Sequence, residues 1–110
     1  MRVAIVEDEL ASREVLKSLL KDFFPDLTLV ATAKTVAEAV PLLQAHQPEL
    51  VFLDIEMPME NGFALLEYFP KVPFKIIFTT AYEEYAIQAL RVSAVDYLLK
   101  PLNVEELEVA

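Results

Sequence analysis

Asp54 is the residue of this sequence best placed to do chemistry. It follows residues 51–53, a short apolar run that is typical of a strand buried on both faces of a parallel sheet. Open α/β sheets bind their ligands at the carboxyl ends of such strands. Pro58 stops the strand soon afterwards, because proline cannot donate to the ladder. We therefore predict that Asp54 lies at the rim of the sheet and faces outward, although an aspartate capping a helix or a turn would also fit this segment.

Other charged and polar side chains also follow apolar strands. They are Glu7-Asp8 after the first run, Thr79-Thr80 after the fourth and Lys100-Pro101 after the fifth. Because the carboxyl ends of parallel strands share one edge, we expect these groups to meet Asp54 in one crevice. Each group alone has a plainer explanation. The acidic residues favour a helix amino terminus, threonine is an ordinary strand residue, and the lysine could form a simple ion pair with Asp54.

The expected crevice concentrates negative charge. Two carboxylates about 4 Å apart repel each other by roughly 4 kcal/mol at an effective dielectric of about 20. Glu7, Asp8 and Asp54 can share a site only if one of them is protonated, a lysine lies among them or a metal ion binds. Oxygen ligands with room for water suit Mg²⁺, so the sequence indicates this ion if a metal is bound.

Alternating strands and helices must hold these residues in place. Strands are predicted at residues 2–6, 27–31, 50–54, 74–79 and 94–99. The predicted helices run from Ser12 to Pro25, from the Thr35 cap, from the Asn61 cap to Pro70, over residues 83–92, and from Asn103. Pro41 lies inside the apolar stripe of the second helix, which should therefore kink there or start late. The alternation predicts a doubly wound α/β sandwich.

Composition and charge exclude several classes of protein. The 110 residues carry a net charge of −9, which disfavours direct binding to nucleic acid or to an anionic membrane. The sequence contains no cysteine, which excludes disulfides and thiolate zinc sites. No apolar run approaches the roughly 20 residues of a membrane-spanning helix. The amino terminus also lacks a signal-peptide pattern, which favours a cytoplasmic location.

The motifs at the strand ends resemble those of the receiver domain of two-component response regulators. The matching residues are Glu7-Asp8, Asp54 with Met57-Pro58, Thr80-Ala81 and Lys100-Pro101. The resemblance spans essentially the whole chain and implies a flavodoxin-like fold with strand order 2-1-3-4-5 and helices on both faces. It also implies a regulatory domain, not an enzyme, in which Asp54 accepts a phosphoryl group from a phosphohistidine of a sensor histidine kinase.

The resemblance implies a metal site around Asp54. Mg²⁺ would be held by Asp8, Asp54 and the backbone carbonyl of Glu56, and Glu7 would act mainly through metal-bound water. Many receivers carry aspartate at the position of Glu7. The longer side chain keeps the charge, so we do not expect it to inactivate the site.

The resemblance also implies roles in phosphoryl binding and switching. Thr80 and Lys100 would bind the phosphoryl oxygens. Movement of the Thr80 hydroxyl would let Tyr97 turn inward and remodel the surface formed by the fourth helix, fifth strand and fifth helix. The alternative for Tyr97 is an ordinary half-buried strand tyrosine. Glu56 and Tyr82 would flank the water that later removes the phosphoryl group in a slow autodephosphorylation.

A narrower resemblance concerns what the domain controls. Residues 83–86 and 95–101 are most like receivers that precede a LytTR-type DNA-binding domain. We therefore expect residues 1–110 to be the receiver domain of a transcription regulator, with its last helix cut short and its carboxyl-terminal output domain outside this chain. Residues 85–90 could form a homodimer upon phosphorylation or pack on the output domain.

Two other classes of protein fit parts of the pattern. A Mg²⁺-dependent phosphatase of the haloacid dehalogenase type would also form an aspartyl phosphate, but such enzymes usually carry a second aspartate where this chain has Glu56. A flavodoxin relative would need a phosphate-binding loop where Glu7, Asp8 and Glu9 would repel phosphate.

The single histidine and several phenylalanines are expected to lie outside the site. His46 should be a solvated residue near the end of the second helix. Phe23, Phe24 and Phe63 are expected in the core.

Overall fold

The protein forms one parallel sheet with helices packed against it. The computed structural model describes residues 1–57, 59–69, 71–81 and 96–100, and only the backbone at residues 96, 97 and 99. The elements are β1 (Arg2–Val6), α1 (Leu10–Phe23), β2 (Thr28–Ala33), α2 (Val36–His46), β3 (Leu50–Asp54), α3 (Gly62–Leu65), a 3₁₀ helix (Leu66–Tyr68), β4 (Lys75–Thr80) and β5 (Asp96–Leu99). The strand order is β2-β1-β3-β4-β5, as the resemblance implied. The helices predicted over residues 83–92 and from Asn103 lie outside the described residues.

The sheet is buried because its central strands contribute to two cores, one on each face. Successive side chains of a strand point to opposite faces, so Ala4 and Val6 of β1 enter one core, and Val3 and Ile5 enter the other. Helices α2 and α3 cover the first core, and α1 covers the second. This arrangement confirms the predicted sandwich with helices on both faces.

The edge strand β2 departs most from its predicted bounds. Its register with β1 shifts between Val3 and Ala4, whose partners are Leu29 and Ala31. The extra residue on β2 carries the pairing on to Ala33, two residues beyond the predicted end. The carbonyl of Ala33 then accepts a hydrogen bond from the backbone N–H of Glu7 at 2.9 Å.

Helix α2 begins at its cap despite its internal proline. The Thr35 side chain accepts a hydrogen bond from the backbone N–H of Glu38 at 3.1 Å, as the capping box predicted. The alternative that the helix starts late is wrong, because this cap fixes the first turn at Val36 and leaves Pro41 inside the helix. There the ring removes one N–H, the donor to the carbonyl four residues earlier, and the helix continues to His46.

The two ends of α1 also differ from the sequence prediction. The helix starts at Leu10, before Ser12, because the Glu9 carbonyl already accepts the backbone N–H of Arg13 at 3.0 Å. The expectation that Phe23 belongs to the core is wrong, since it is 55% exposed in the last turn, whereas Phe24 packs partly on the second core. Within the described ranges, no helix has the length and apolar character needed to cross a bilayer.

Candidate functional site

The carboxyl ends of β1 and β3 bring three acidic side chains together. Val6 of β1 pairs with Leu53 of β3, so the residues that follow them are neighbours. Glu7, Asp8 and Asp54 each offer one carboxylate oxygen, and these oxygens lie within 4.8 Å of one another. The structure thus gathers the acidic residues that the sequence assigned to the ends of two different strands.

Lys100 joins this cluster from the end of β5. Its backbone N–H donates to the carbonyl of Thr80 at 2.7 Å, which fixes it beside β4. Its Nζ lies 2.7 Å from Oε1 of Glu7 and 3.4 Å from Oδ1 of Asp54. The simple ion pair with Asp54 is therefore present, but the shorter contact of Lys100 is with Glu7.

The Asp54 side chain is enclosed at the end of its strand. Its exposed fraction is only 2%, so the prediction that it faces outward is wrong, because Glu7 and Lys100 pack around it. Among the residues that the structure describes, Oδ1 of Asp54 accepts no hydrogen bond, although it is buried. The ion pair with Lys100 at 3.4 Å compensates this oxygen only in part, and a bound cation would give it a direct ligand contact.

The electrostatics of the cluster favour a proton or a cation on Asp54. Burial, together with the neighbouring Glu7 carboxylate and its negative charge, raises the pKa of Asp54 from 3.8 to about 9, although the charge of Lys100 opposes this rise. Burial also lowers the pKa of Lys100, but its hydrogen bond to Glu7 and the charges of Asp54 and Glu7 outweigh burial and raise that pKa above its usual value. The lysine therefore stays charged and only partly offsets the acidic side chains.

The donor set fits a hard divalent cation. Glu7, Asp8 and Asp54 supply carboxylate oxygens within reach of a single ion, and one buried oxygen of Asp54 lacks a hydrogen bond within the described part of the chain. Mg²⁺ prefers oxygen ligands and takes only one or two carboxylates directly. These residues could therefore hold Mg²⁺.

Thr80 is buried at the end of β4, and its hydroxyl contacts Glu56. The hydroxyl donates to the carboxylate, whose oxygens Oε1 and Oε2 lie 2.5 and 2.7 Å away. The backbone N–H of Ala81 donates to Oε1 of the same carboxylate at 3.3 Å. The sequence analysis gave Glu56 a metal-binding role through its backbone carbonyl and a place beside the hydrolytic water. It missed the contact of its side chain with Thr80, because this contact depends on how β3 and β4 are paired.

Two residues that support the site also escaped the sequence analysis. Arg13 of α1 is buried, and its Nη1 donates to the backbone carbonyl of Glu7 at 2.9 Å. Gly62 begins α3 so close to the site that a Cβ there would lie 2.3 Å from the carbonyl oxygen of Asp54. Gly62 is the only glycine of the chain and follows the cap residue Asn61, so its position could have indicated a close backbone approach. No local sequence pattern distinguishes Arg13.

The other residues singled out from the sequence lie elsewhere or are not described. His46 is exposed in the last turn of α2, as expected. The backbone of Tyr97 pairs with Phe78 in the sheet, but its side chain and the whole of Tyr82 lie outside the described structure.

The fold and the site together define a doubly wound α/β protein with an acidic, aspartate-centred site at the carboxyl edge of its sheet. Residues 3–110 match the family described as the response regulator receiver domain, and the chain belongs to this family. It is therefore a receiver domain of the two-component type, and the family to which it belongs consists of regulatory phospho-acceptor domains.

Curated relatives and solved structures agree with this assignment. A sensory transduction protein LytT of Enterococcus faecalis is 43% identical over 110 residues, covering 97% of this chain and 45% of the relative. An uncharacterised response regulatory protein of Yersinia pestis is 44% identical over 108 residues, with the same coverage of 97% and 45%. The chain thus spans about half the length of the curated relatives it matches.

Solved receiver domains have the same fold. The response regulatory domain of mrkE from Klebsiella pneumoniae superposes with a TM-score of 0.87 at 29% identity, covering 97% of this chain and 88% of that one. The receiver domain of AraT from Geobacillus stearothermophilus gives 0.86 at 33% identity, covering 98% and 87%.

Proposed function

We propose that this receiver domain accepts a phosphoryl group on Asp54, from a phosphohistidine of a sensor histidine kinase, in a Mg²⁺-dependent reaction. The observation that carries the proposal is the Asp54 carboxylate, buried next to Glu7, Asp8 and Lys100, with an oxygen that accepts no hydrogen bond within the described residues. Membership of the receiver family supports the same role.

The metal would be held at the acidic end of the cluster. Asp8, Asp54 and the backbone carbonyl of Glu56 would bind Mg²⁺ directly, and Glu7 would act mainly through water. When bound, Mg²⁺ would neutralise the carboxylates and the oxygens of the transferred phosphoryl group. The sheet contributes rigid positions for these ligands, because they follow strands whose pairing is fixed.

Asp54 would act as the nucleophile. One of its carboxylate oxygens bonds to phosphorus while the phosphorus–nitrogen bond to the donor imidazole breaks, and the imidazole leaves with the electron pair. Because its pKa is raised to about 9, Asp54 must first give up its proton, which cation binding favours. Lys100, 3.4 Å from Oδ1 of Asp54, would stabilise the phosphoryl oxygens from the β5 side.

Switching would follow phosphorylation through Thr80. Its hydroxyl would leave Glu56 and bind a phosphoryl oxygen, and Tyr97 in β5 would turn inward. This change would remodel the surface formed by β5 and the helices predicted on either side of it. Water would later remove the phosphoryl group slowly, along a path flanked by Glu56 and Tyr82.

The domain would control transcription through an attached module. We propose a LytTR-type DNA-binding domain on the carboxyl-terminal side of this receiver, because the LytT relatives are about twice as long as this chain. The net charge of −9 leaves DNA contacts to that module. Homodimerisation upon phosphorylation and a cytoplasmic location belong to the same proposal.

Acetyl phosphate with Mg²⁺ tests the phospho-acceptor role without the kinase. We expect intact-mass measurement to find one added phosphoryl group on the wild type and none on Asp54→Asn or after chelation of Mg²⁺. Asp22→Asn removes the same charge at an exposed position of α1 and should be labelled like the wild type. Labelling of Asp54→Asn, or steady turnover of a small phosphoester, would contradict the proposal.

A further inference from the structure

Two hydrogen-bond donors at the end of β4 converge on one carboxylate. The fully buried Thr80 hydroxyl lies 2.5 Å and 2.7 Å from the two oxygens of Glu56, and the Ala81 N–H lies 3.3 Å from Oε1. Hydrogen bonds to an ionised acceptor are roughly twice as strong as neutral ones. The two donors therefore form a small anion-binding pocket, and the anion that it holds here belongs to the chain itself.

We infer that Glu56 is an internal competitor of the phosphoryl group, and that it keeps this pocket closed to phosphate until Asp54 is modified. The inference rests on the proposed function, in which the Thr80 hydroxyl binds a phosphoryl oxygen. Thr80 has a single hydroxyl proton, so it cannot donate to Glu56 and to a phosphoryl oxygen at once. Phosphorylation of Asp54 must therefore displace the Glu56 carboxylate.

The register between β3 and β4 places Glu56 next to Thr80. Asp54 pairs with Thr79, and the backbone N–H of Ile55 donates to the carbonyl of Thr79 at 3.1 Å. Glu56 follows Ile55, and Thr80 follows Thr79. The side chains of Glu56 and Thr80 are therefore in contact. The segment from Asp54, at the end of β3, to Glu56 thus carries both the nucleophile and the competing anion.

Electrostatic repulsion, like the limit of one hydroxyl proton on Thr80, opposes the presence of Glu56 and a phosphoryl group in this pocket at the same time. In the proposed function, the phosphoryl group on Asp54 carries about 1.5 to 2 negative charges and would approach Thr80, and with it the Glu56 carboxylate, so that like charges repel. The resting contact with Thr80 and the phosphorylated state are therefore mutually exclusive. Glu56 lowers the apparent affinity for an anion on Asp54 by the fraction of molecules in which the pocket is already filled.

The test compares Glu56→Ala and Glu56→Gln with the wild type at saturating Mg²⁺. The probes are the affinity for beryllofluoride, which mimics an acyl phosphate, and the rate of labelling by acetyl phosphate. We expect Glu56→Ala to bind beryllofluoride roughly tenfold more tightly and to be labelled faster, because a hydrogen bond to a charged group is lost only from the resting state. Glu56→Gln should lie between the two, since its amide oxygen can still accept a hydrogen bond.

Glu60→Ala is the matched control. The Glu60 carboxylate also accepts a hydroxyl hydrogen bond, from Tyr68 at 3.0 Å, but this pair is exposed and outside the acidic cluster. The Glu60→Ala variant should bind beryllofluoride with the affinity of the wild type.

Unchanged or weaker beryllofluoride binding in Glu56→Ala would overturn the inference. If circular dichroism finds that this variant is unfolded, Glu56→Gln decides, and wild-type affinity in a folded Glu56→Gln would overturn it equally. Failure of the wild type itself to be labelled would instead overturn the proposed function, and the inference with it.

Discussion

At Asp54, burial and the neighbouring Glu7 act on the pKa in the same direction. With a pKa of about 9 in the folded protein and 3.8 as the ordinary value, this side chain binds more protons folded than unfolded between those two pH values. Its contribution to stability is therefore fully present below pH 3.8 and is lost as the pH rises towards 9. Without a cation, the ionised site works against folding.

Asp54→Asn should remove the cost of ionising this buried carboxylate in the folded protein, because the neutral asparagine resembles the protonated acid. Without Mg²⁺, we expect the variant to melt at a higher temperature than the wild type, by a margin that grows from about pH 5 to about pH 9. Saturating Mg²⁺ should remove the advantage by stabilising the wild type. Thermal melts across this pH range measure it, and a margin independent of pH would contradict the raised pKa.

Gly62→Ala tests how closely α3 packs on the nucleophile. Helix propensity alone would make this change stabilising by about 0.5 to 1 kcal/mol. We expect the opposite sign, a loss of roughly 1 to 3 kcal/mol, because the added Cβ would meet the carbonyl oxygen of Asp54 at 2.3 Å. Urea denaturation gives the sign directly, and a stabilised variant would show that the backbone can move aside at no cost.

Among the secondary-structure elements, we expect the stability of α2 to depend most on its N-cap. Pro41 lies inside this helix and lacks the N–H of one of its backbone hydrogen bonds. Thr35→Ala removes the acceptor for the Glu38 N–H and should lower the free energy of unfolding by about 1 kcal/mol. Ser18→Ala, at an exposed mid-helix position of α1, is the control and should stay within about 0.5 kcal/mol of the wild type. Equal effects of the two changes in urea denaturation would mean that the cap does not hold the helix.

The elements also differ in how well the sequence predicts them. The bounds of β1 and β3 match the prediction, because each is a continuous apolar run that ends at a charged residue. The edge strand β2 does not, since its bulge depends on its partner strand. The contacts of Glu56 with Thr80 and of Arg13 with Glu7 join residues on different elements, so they follow from register and packing and leave no local pattern.

On the scale of the whole molecule, β5 connects the acidic site to the surface that would signal. Lys100, which follows this strand, contacts Glu7 and Asp54, while Tyr97 lies within it. In the proposed switch, a change at Asp54 would reach Tyr97 through Lys100 and β5. The chain spans about half the length of the curated relatives it matches, and in the proposed function an attached output module would receive the change.

The central claim is that Glu7, Asp8 and Asp54 bind a cation and make Asp54 the phosphoryl acceptor. A crystal structure of the protein with Mg²⁺ and beryllofluoride tests it most directly. We expect Mg²⁺ among these carboxylates and beryllium bonded to Asp54, with Lys100 and the Thr80 hydroxyl on the fluorides and the Glu56 side chain displaced. Beryllofluoride on another residue, or a metal bound away from Asp54, would contradict it.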